Sequence, residues 1–185
     1  MSARTLEEAI DHMKKAVAAL SHEFAGVRTG RASGAILEKI TVEYYGVPTP
    51  LLQIASVSSP EPQLLVISPY DRTAMTAIEK AILASDLGLN PSNDGQVIRL
   101  PFPPLTEERR KDLAKLCRHY AEESRVAVRN IRRDINETLK RQEKDGEISQ
   151  DDLRRLENDV QKATDAHIKD IDELLRRKEQ EIMEV

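Results

Sequence analysis

The stretch Arg125–Arg133 reads Arg-Val-Ala-Val-Arg-Asn-Ile-Arg-Arg, four arginines in nine residues with no acid among them. A guanidinium is planar, always charged, and donates in a fork that matches phosphate or carboxylate oxygens. Such a run is suited to gripping anions rather than to making or breaking bonds. At ~100° per residue on a helix, Arg118, Arg125, Arg129, Arg132 and Arg133 share a sector about 100° wide, and Leu113, Leu116, Tyr120, Ala127, Ile131 and Ile135 fall opposite. One face is thereby expected to meet a core and the other a polyanion or water. Glu122 and Glu123 are the only acids between Arg118 and Asp134, too few for pairing along the helix to neutralise the cluster. An RNA phosphate surface is the favoured reading, with a solvated, ion-paired helix face as its bland counterpart.

No other pattern of residues suggests chemistry. His12, His22, His119 and His167 lie at unrelated spacings, and none forms a two-histidine metal motif with a nearby carboxylate. Arg28-Thr29-Gly30-Arg31 has one glycine and no GxxxxGK[ST] pattern, so nucleotide hydrolysis is not assigned to this chain. Cys117, the single cysteine, sits near an apolar stripe and reads as a buried thiol. Asp151-Asp152 and Asp170, Asp172 and Glu173 read as a solvated helix face. No enzymatic activity, metal or cofactor is expected. Arg28 and Arg31 would extend the basic face if the helices that carry them are neighbours. Tyr44-Tyr45 resembles a base-stacking platform, but strand alternation puts only one of the two rings outside.

A chain of 185 residues allows one large domain or two small ones. Nothing in it reads as a signal peptide or a bilayer-spanning run, and a soluble cytoplasmic protein is expected. A charged fraction of 32% with two Phe, four Tyr and no Trp suggests long, ion-rich helices. The net charge of −4 hides a polarity. Residues 106–142 carry eleven basic and seven acidic side chains, whereas residues 143–185 carry eight and fourteen. One side of the molecule should be basic although the chain is acidic.

The elements that would carry these residues follow from period. Leu6, Ile10, Met13, Val17, Leu20, Phe24 and Val27 form a heptad seam, with Thr5 and Glu8 as a capping box at its start and an end near Gly30. From Ile36 the pattern turns to short strands: Ile40–Tyr44, a turn at Gly46, Leu51–Val57 and Leu64–Ile67. A helix over Arg72–Ser85 follows, capped by Asp71, then turns at Asn90-Pro91 and Asn93–Gly95 and a strand over Val97–Leu100. Thr106 caps a second long helix, whose seam is Leu113, Leu116, Tyr120, Ser124, Ala127, Ile131, Ile135 and Thr138. It should run to the turn at Lys144–Gly146, roughly 55–60 Å. Ser149 and Asp152 cap a third helix, with Leu153, Leu156, Val160, Ala163, His167, Ile171, Leu174 and Ile182 as its seam.

The expected class is α+β: an elongated three-helix bundle, residues 1–30 and 105–185, with a small β/α/β domain, residues 31–104, inserted in it. Two crossings join them. Gly30, Arg31, Ala32, Ser33 and Gly34 form one, and Pro101, Phe102, Pro103, Pro104 and Leu105 the other. Glycines that absorb dihedral change beside prolines that hold the chain extended suit a limited hinge.

Several segments, in order, resemble the bacterial ribosome recycling factors: Arg28–Ala32, Val42–Gly46, Ser85–Pro91, Pro103–Lys111 and Val126–Arg133. The likeness covers essentially the whole chain. It implies an L-shaped molecule with a tRNA-like outline that enters the ribosome after peptide release. There, with elongation factor G and GTP, it would split the post-termination complex and release messenger; the GTP hydrolysis is the partner's. The resemblance further implies contact with large-subunit ribosomal RNA through Arg132 and Arg129 first, then Arg133, Arg125, Arg28 and Arg31, and a small domain that swings about the hinge. The chain is expected to act as a monomer, away from membranes. A helical-bundle adaptor that binds acidic protein partners is the competing class.

Overall fold

The computed structural model describes residues 2–184, with side chains from Thr5 onward, so Met1 and Val185 at the ends of the expected bundle segments lie outside it. The described chain is ordered α1 (Ser2–Ala25), β1 (Thr41–Tyr44), β2 (Val47–Pro50), α2 (Leu51–Ile54), β3 (Ala55–Glu61), β4 (Leu64–Pro69), α3 (Met75–Ala84), β5 (Ser92–Asn93), β6 (Ile98–Pro101), α4 (Glu107–Lys144) and α5 (Gln150–Met183). It divides into two compact units. One comprises Met1–Phe24 and Lys115–Glu179; the other comprises Ala25–Ala114 and Gln180–Val185.

The first unit is helical. Met13 and Leu20 of α1, Val128, Ile135 and Leu139 of α4, and Leu156, Val160 and Ile171 of α5 are buried in it. The long helices α4 and α5, each of which runs through both units, are terminated as the sequence suggests. Thr106 Oγ1 accepts from Arg109 N at 3.1 Å at the head of α4, and Ser149 Oγ accepts from Asp152 N at 3.1 Å at the head of α5. Gly146, at φ 75°, ends α4. Its N–H reaches Glu143 O at 3.0 Å and that of Glu147 reaches Gln142 O at 2.9 Å, which satisfies the last carbonyls. Helix α1 departs from the reading. It begins at Ser2, so Thr5 lies inside the helix rather than capping it, and it stops at Ala25 instead of near Gly30.

The second unit holds the sheet and the larger apolar cluster, with Leu37, Val42, Leu51, Ile67, Ile78, Ile82, Ile98 and Leu100 fully shielded. Burying a side chain of this size contributes about 1.5–3 kcal/mol. Strands β3, β4, β6 and β5 form an antiparallel sheet in that order, and β1 and β2 form a separate hairpin. The hairpin closes on Tyr45 and Gly46, both at positive φ, between the paired residues Tyr44 and Val47. That is the twist a two-residue hairpin requires. Leu51–Ile54 is a helical turn rather than the start of a strand: Leu51 N donates to Ile40 O at 3.0 Å, and Leu51 and Ile54, three apart, both point into the core. The strand begins at Ala55. Asp71 caps as expected, accepting from Thr73 N at 2.9 Å, although the turn it starts is 3-10 over Arg72–Ala74 before α3 begins. The two-residue strand β5 carries no periodicity that a sequence reading could detect.

Candidate nucleic-acid interface

The apolar seam of α4 decides where its arginines point. The large residues Leu116 and Tyr120 suggest one line, but Leu116 is 38% exposed, and the buried line in the first unit is Cys117, Ala121, Ser124, Val128, Ile135 and Leu139. Leu113, Ser124 and Ile135 keep their expected places, but Cys117, Ala121, Val128 and Leu139 are buried in place of Leu116, Tyr120, Ala127 and Thr138, a displacement by one residue that at the first two brings in small side chains. Ser124 Oγ donates to Ala16 O at 3.3 Å, a direct contact with the backbone of α1 that a bulkier side chain would block. With the seam so placed, Arg118, Arg125, Arg129 and Arg132 lie along one flank of it, not opposite it. The far side of the helix is marked by Val126, which is exposed.

A flank position brings α5 within reach. Arg125 Nε and Nη2 both donate to Asp172 Oδ1, at 2.9 and 2.7 Å, and Nη1 donates to Glu122 Oε2 at 3.0 Å. Burial alone would lower the pKa of this guanidinium, but its bonds to Asp172 and Glu122 prevail and raise it. Arg118 pairs with Glu179. Glu122 also accepts from Arg129 Nη1 at 3.2 Å through its second oxygen. The Arg125 bond, with Arg129 in support, holds the Glu122 carboxyl below its usual range. Arg132 donates to Gln161 Oε1 at 3.3 Å, and Arg133 to Asn130 Oδ1 at 2.7 Å. Thus the cluster is graded. Arg125 is fully engaged by carboxylates and Arg129 is held by one oxygen, while among the described residues Arg132 and Arg133 meet only neutral amides. The expectation that acids along α4 are too few to neutralise the run leaves out those supplied by α5. Arg118, Arg125 and Arg132 recur every seven residues, as do Asp165, Asp172 and Glu179 on α5.

Comparison with known proteins now gives the family. A family model described as ribosome recycling factor matches residues 20–183. The chain belongs to the ribosome recycling factor family. Ribosome-recycling factors of Geobacillus kaustophilus and of Bacillus thuringiensis strain Al Hakam are each 58% identical to it over 185 residues, covering all of both chains. A ribosome recycling factor solved in solution superposes with a TM-score of 0.82 at 46% identity, over 100% of this chain and 98% of that one. Another, at TM-score 0.71 and 49% identity over the full length of both, is the T. thermophilus factor, placed together with the E. coli elongation factor G on the E. coli post-termination complex. The helical bundle portion and small sheet domain of this chain match those structures.

Arg28 and Arg31 of this family member belong to the second unit. Arg28 donates to Pro103 O and lies over the Phe102 ring, 5.9 Å from its centroid. It therefore ties the chain just before the first linker to the second. Burial, with the nearby charge of Arg109, lowers its pKa. Arg31 is exposed beside an open cleft of about 810 Å³ lined by Gly30–Ala32 and Ser59–Gln63. Among the expected hinge residues, Ala32 N donates to Pro62 O at 2.7 Å and Phe102 N to Gln63 O at 2.8 Å, so both linkers are tied to the β3–β4 turn. Ser33 accepts from Ala35 N, and Phe102 and Leu105 are buried.

Tyr44 is half-buried and Tyr45 exposed, in keeping with alternation. Both hydroxyls donate to Asp71 Oδ2, at 3.0 and 3.1 Å, with the rings edge to face. Cys117 is buried. No helix among the described residues is long and apolar enough to cross a membrane, and no group of three or more metal-ligating side chains occurs among them. Sequence reasoning missed Gln161, Asp165 and Glu179, and it left Asp172, which pairs with Arg125, on a solvated face. The heptad spacing of Asp165, Asp172 and Glu179 was visible, but not the register that sets them beside the arginines.

Proposed function

We propose that this chain recycles ribosomes after termination by binding large-subunit ribosomal RNA through the arginine flank of α4 and acting with elongation factor G, which would supply the GTP hydrolysis. The observation that carries the site is the grading of the arginines. Among the described residues Arg132 and Arg133 have no carboxylate partner, and Arg129 has a single exposed one, so a phosphate can take these three at little cost. The expected surface also includes Arg125, Arg28 and Arg31. Arg125 serves as structural support for the flank, Arg28 as a tie from the residues before the first linker to the second, and Arg31 as an outlying cation. The work with elongation factor G is supported by the relative named with that factor on the post-termination complex. A role in translation without catalysis of its own follows from the family, and the place of action is the cytoplasm. Identity along the whole chain to ribosome-recycling factors does not favour the protein-adaptor reading.

The linkers are proposed as the place where the chain bends during this work. Because Ala32 and Phe102 are bonded to the β3–β4 turn, the bending residues would be Gly30, Arg31, Pro103 and Pro104 rather than all ten.

Equilibrium binding to purified large ribosomal subunits across a salt series tests the site. About four phosphate contacts give a slope of log K on log salt near −3, reduced by one or two units in Arg129→Ala/Arg132→Ala. A flat curve that ignores the double substitution would return the case to the adaptor.

A further inference from the structure

Arg118 and Arg125 of α4 pair with acids of α5 in an antiparallel register, and the next arginine of that register is unlike them. Arg118 meets Glu179 and Arg125 meets Asp172 directly. Seven residues further along α4, Arg132 has Asp165 as its counterpart in the same register, yet its bond goes to Gln161, one helical turn away on α5. The side-chain amide of Gln161 is fixed from both ends. Its Nε2 donates to Asp165 Oδ1 at 2.8 Å, and its Oε1 accepts from Arg132 Nη1 at 3.3 Å. Reversing the amide would set oxygen against carboxylate and N–H against guanidinium, so the orientation is determined. Both Gln161 and Asp165 are exposed, and neither contributes to the apolar core.

We propose that Gln161 is a positioning residue that insulates Arg132 from Asp165, keeping the guanidinium oriented but without a carboxylate so that RNA phosphate can take it. The inference rests on the RNA reading above. An arginine already forked onto a carboxylate must exchange one charge-assisted contact for another when phosphate arrives, and gains little from the exchange. The single long bond from Arg132 to a neutral oxygen uses one of the five N–H donors of the group and is given up readily. That bond still restricts the side chain, which lowers the ordering cost of binding. Gln161 also supplies the donor that Asp165 would otherwise find in Arg132. A neutral side chain thereby leaves one rung of an ion-pair ladder open for an external anion.

The test is equilibrium binding to purified large ribosomal subunits at one fixed salt concentration, with helix content checked by circular dichroism. Gln161→Ala lets Arg132 close on Asp165 and should weaken binding about three- to tenfold. Adding Asp165→Asn to that variant removes the competing carboxylate and should restore binding to the wild-type level. Gln161→Glu places a carboxylate on Arg132 itself and should weaken binding at least as much, without rescue by Asp165→Asn. A residue that merely linked two helices would show neither the rescue nor this dependence on charge. Unchanged binding in Gln161→Ala, or failure of Asp165→Asn to restore it, overturns the insulator. Arg132→Ala in the same series separates the two readings. If it binds as tightly as wild type, the RNA assignment itself has failed; if it weakens while Gln161→Ala does not, only the insulator is lost.

Discussion

The two compact units hold their exposed carboxylates in different ways. In the sheet unit, Asp94 accepts from the backbone N–H groups of Gln96 and Val97, both at 2.9 Å, and from Arg99. These bonds draw its pKa down to about 2. Asp71 accepts from Thr73 N and from two tyrosine hydroxyls. Each of these acids takes at least one backbone N–H of its own turn. In the helical unit, Glu122 and Asp172 engage arginine side chains that can rotate away. Acids with backbone N–H partners, even where a cation such as Arg99 joins them, build structure, whereas acids bound only by long flexible cations set how readily those cations are lent to another anion.

The cores differ as well, and substitutions there should have the largest effects. Ile78→Ala removes a fully shielded side chain from the dense cluster of the sheet unit and should cost about 2–5 kcal/mol in urea unfolding. In the helical unit the seam is lined by small residues, so enlarging one is the sharper probe. Cys117→Leu should cost about 1–3 kcal/mol by overpacking. Its neighbour Leu116→Ala, on the exposed side, should stay within about 0.5 kcal/mol. Equal costs at positions 116 and 117 would mean that the seam has been placed wrongly.

Acid titration should separate the two kinds of carboxylate. Because the folded pKa of Asp94 lies at about 2, below the ordinary 3.8, its contribution to stability is present above pH 3.8 and is lost as pH falls from there toward 2. Glu122 is also lowered, so its contribution likewise fades on acidification below the ordinary 4.5. In carboxyl-resolved NMR titrations, added salt should return Glu122 toward 4.5 more than it returns Asp94 toward 3.8, since local backbone bonds are screened less than exposed ion pairs. Matching salt responses would erase the distinction drawn between the units. The smallest effect is reserved for Asp172→Asn, which should cost under about 1 kcal/mol in thermal or urea unfolding, and less in about 1 M salt.

Much of this molecule is written locally in its sequence. The caps at Thr106 and Ser149, the helix stop at Gly146, the Asp71 cap, the hairpin turn at Tyr45-Gly46 and the periods of the three long helices each depend on residues within a few positions of one another. The run Arg125–Arg133 is visible on inspection. Tertiary packing decided what local pattern could not. Leu51–Ile54 closes a helical turn because its two apolar ends share one pocket. The seam of α4 runs through Cys117, Ala121 and Ser124 because close approach of neighbouring helices favours small side chains over the larger Leu116 and Tyr120. That one-residue displacement moves the arginines from the back of the helix to its flank. The antiparallel register of α4 against α5 then assigns Glu179 to Arg118, Asp172 to Arg125 and Gln161 to Arg132. Periodicity is a property of one helix and can be read from it, but register belongs to a pair of helices and is set by how their side chains interlock.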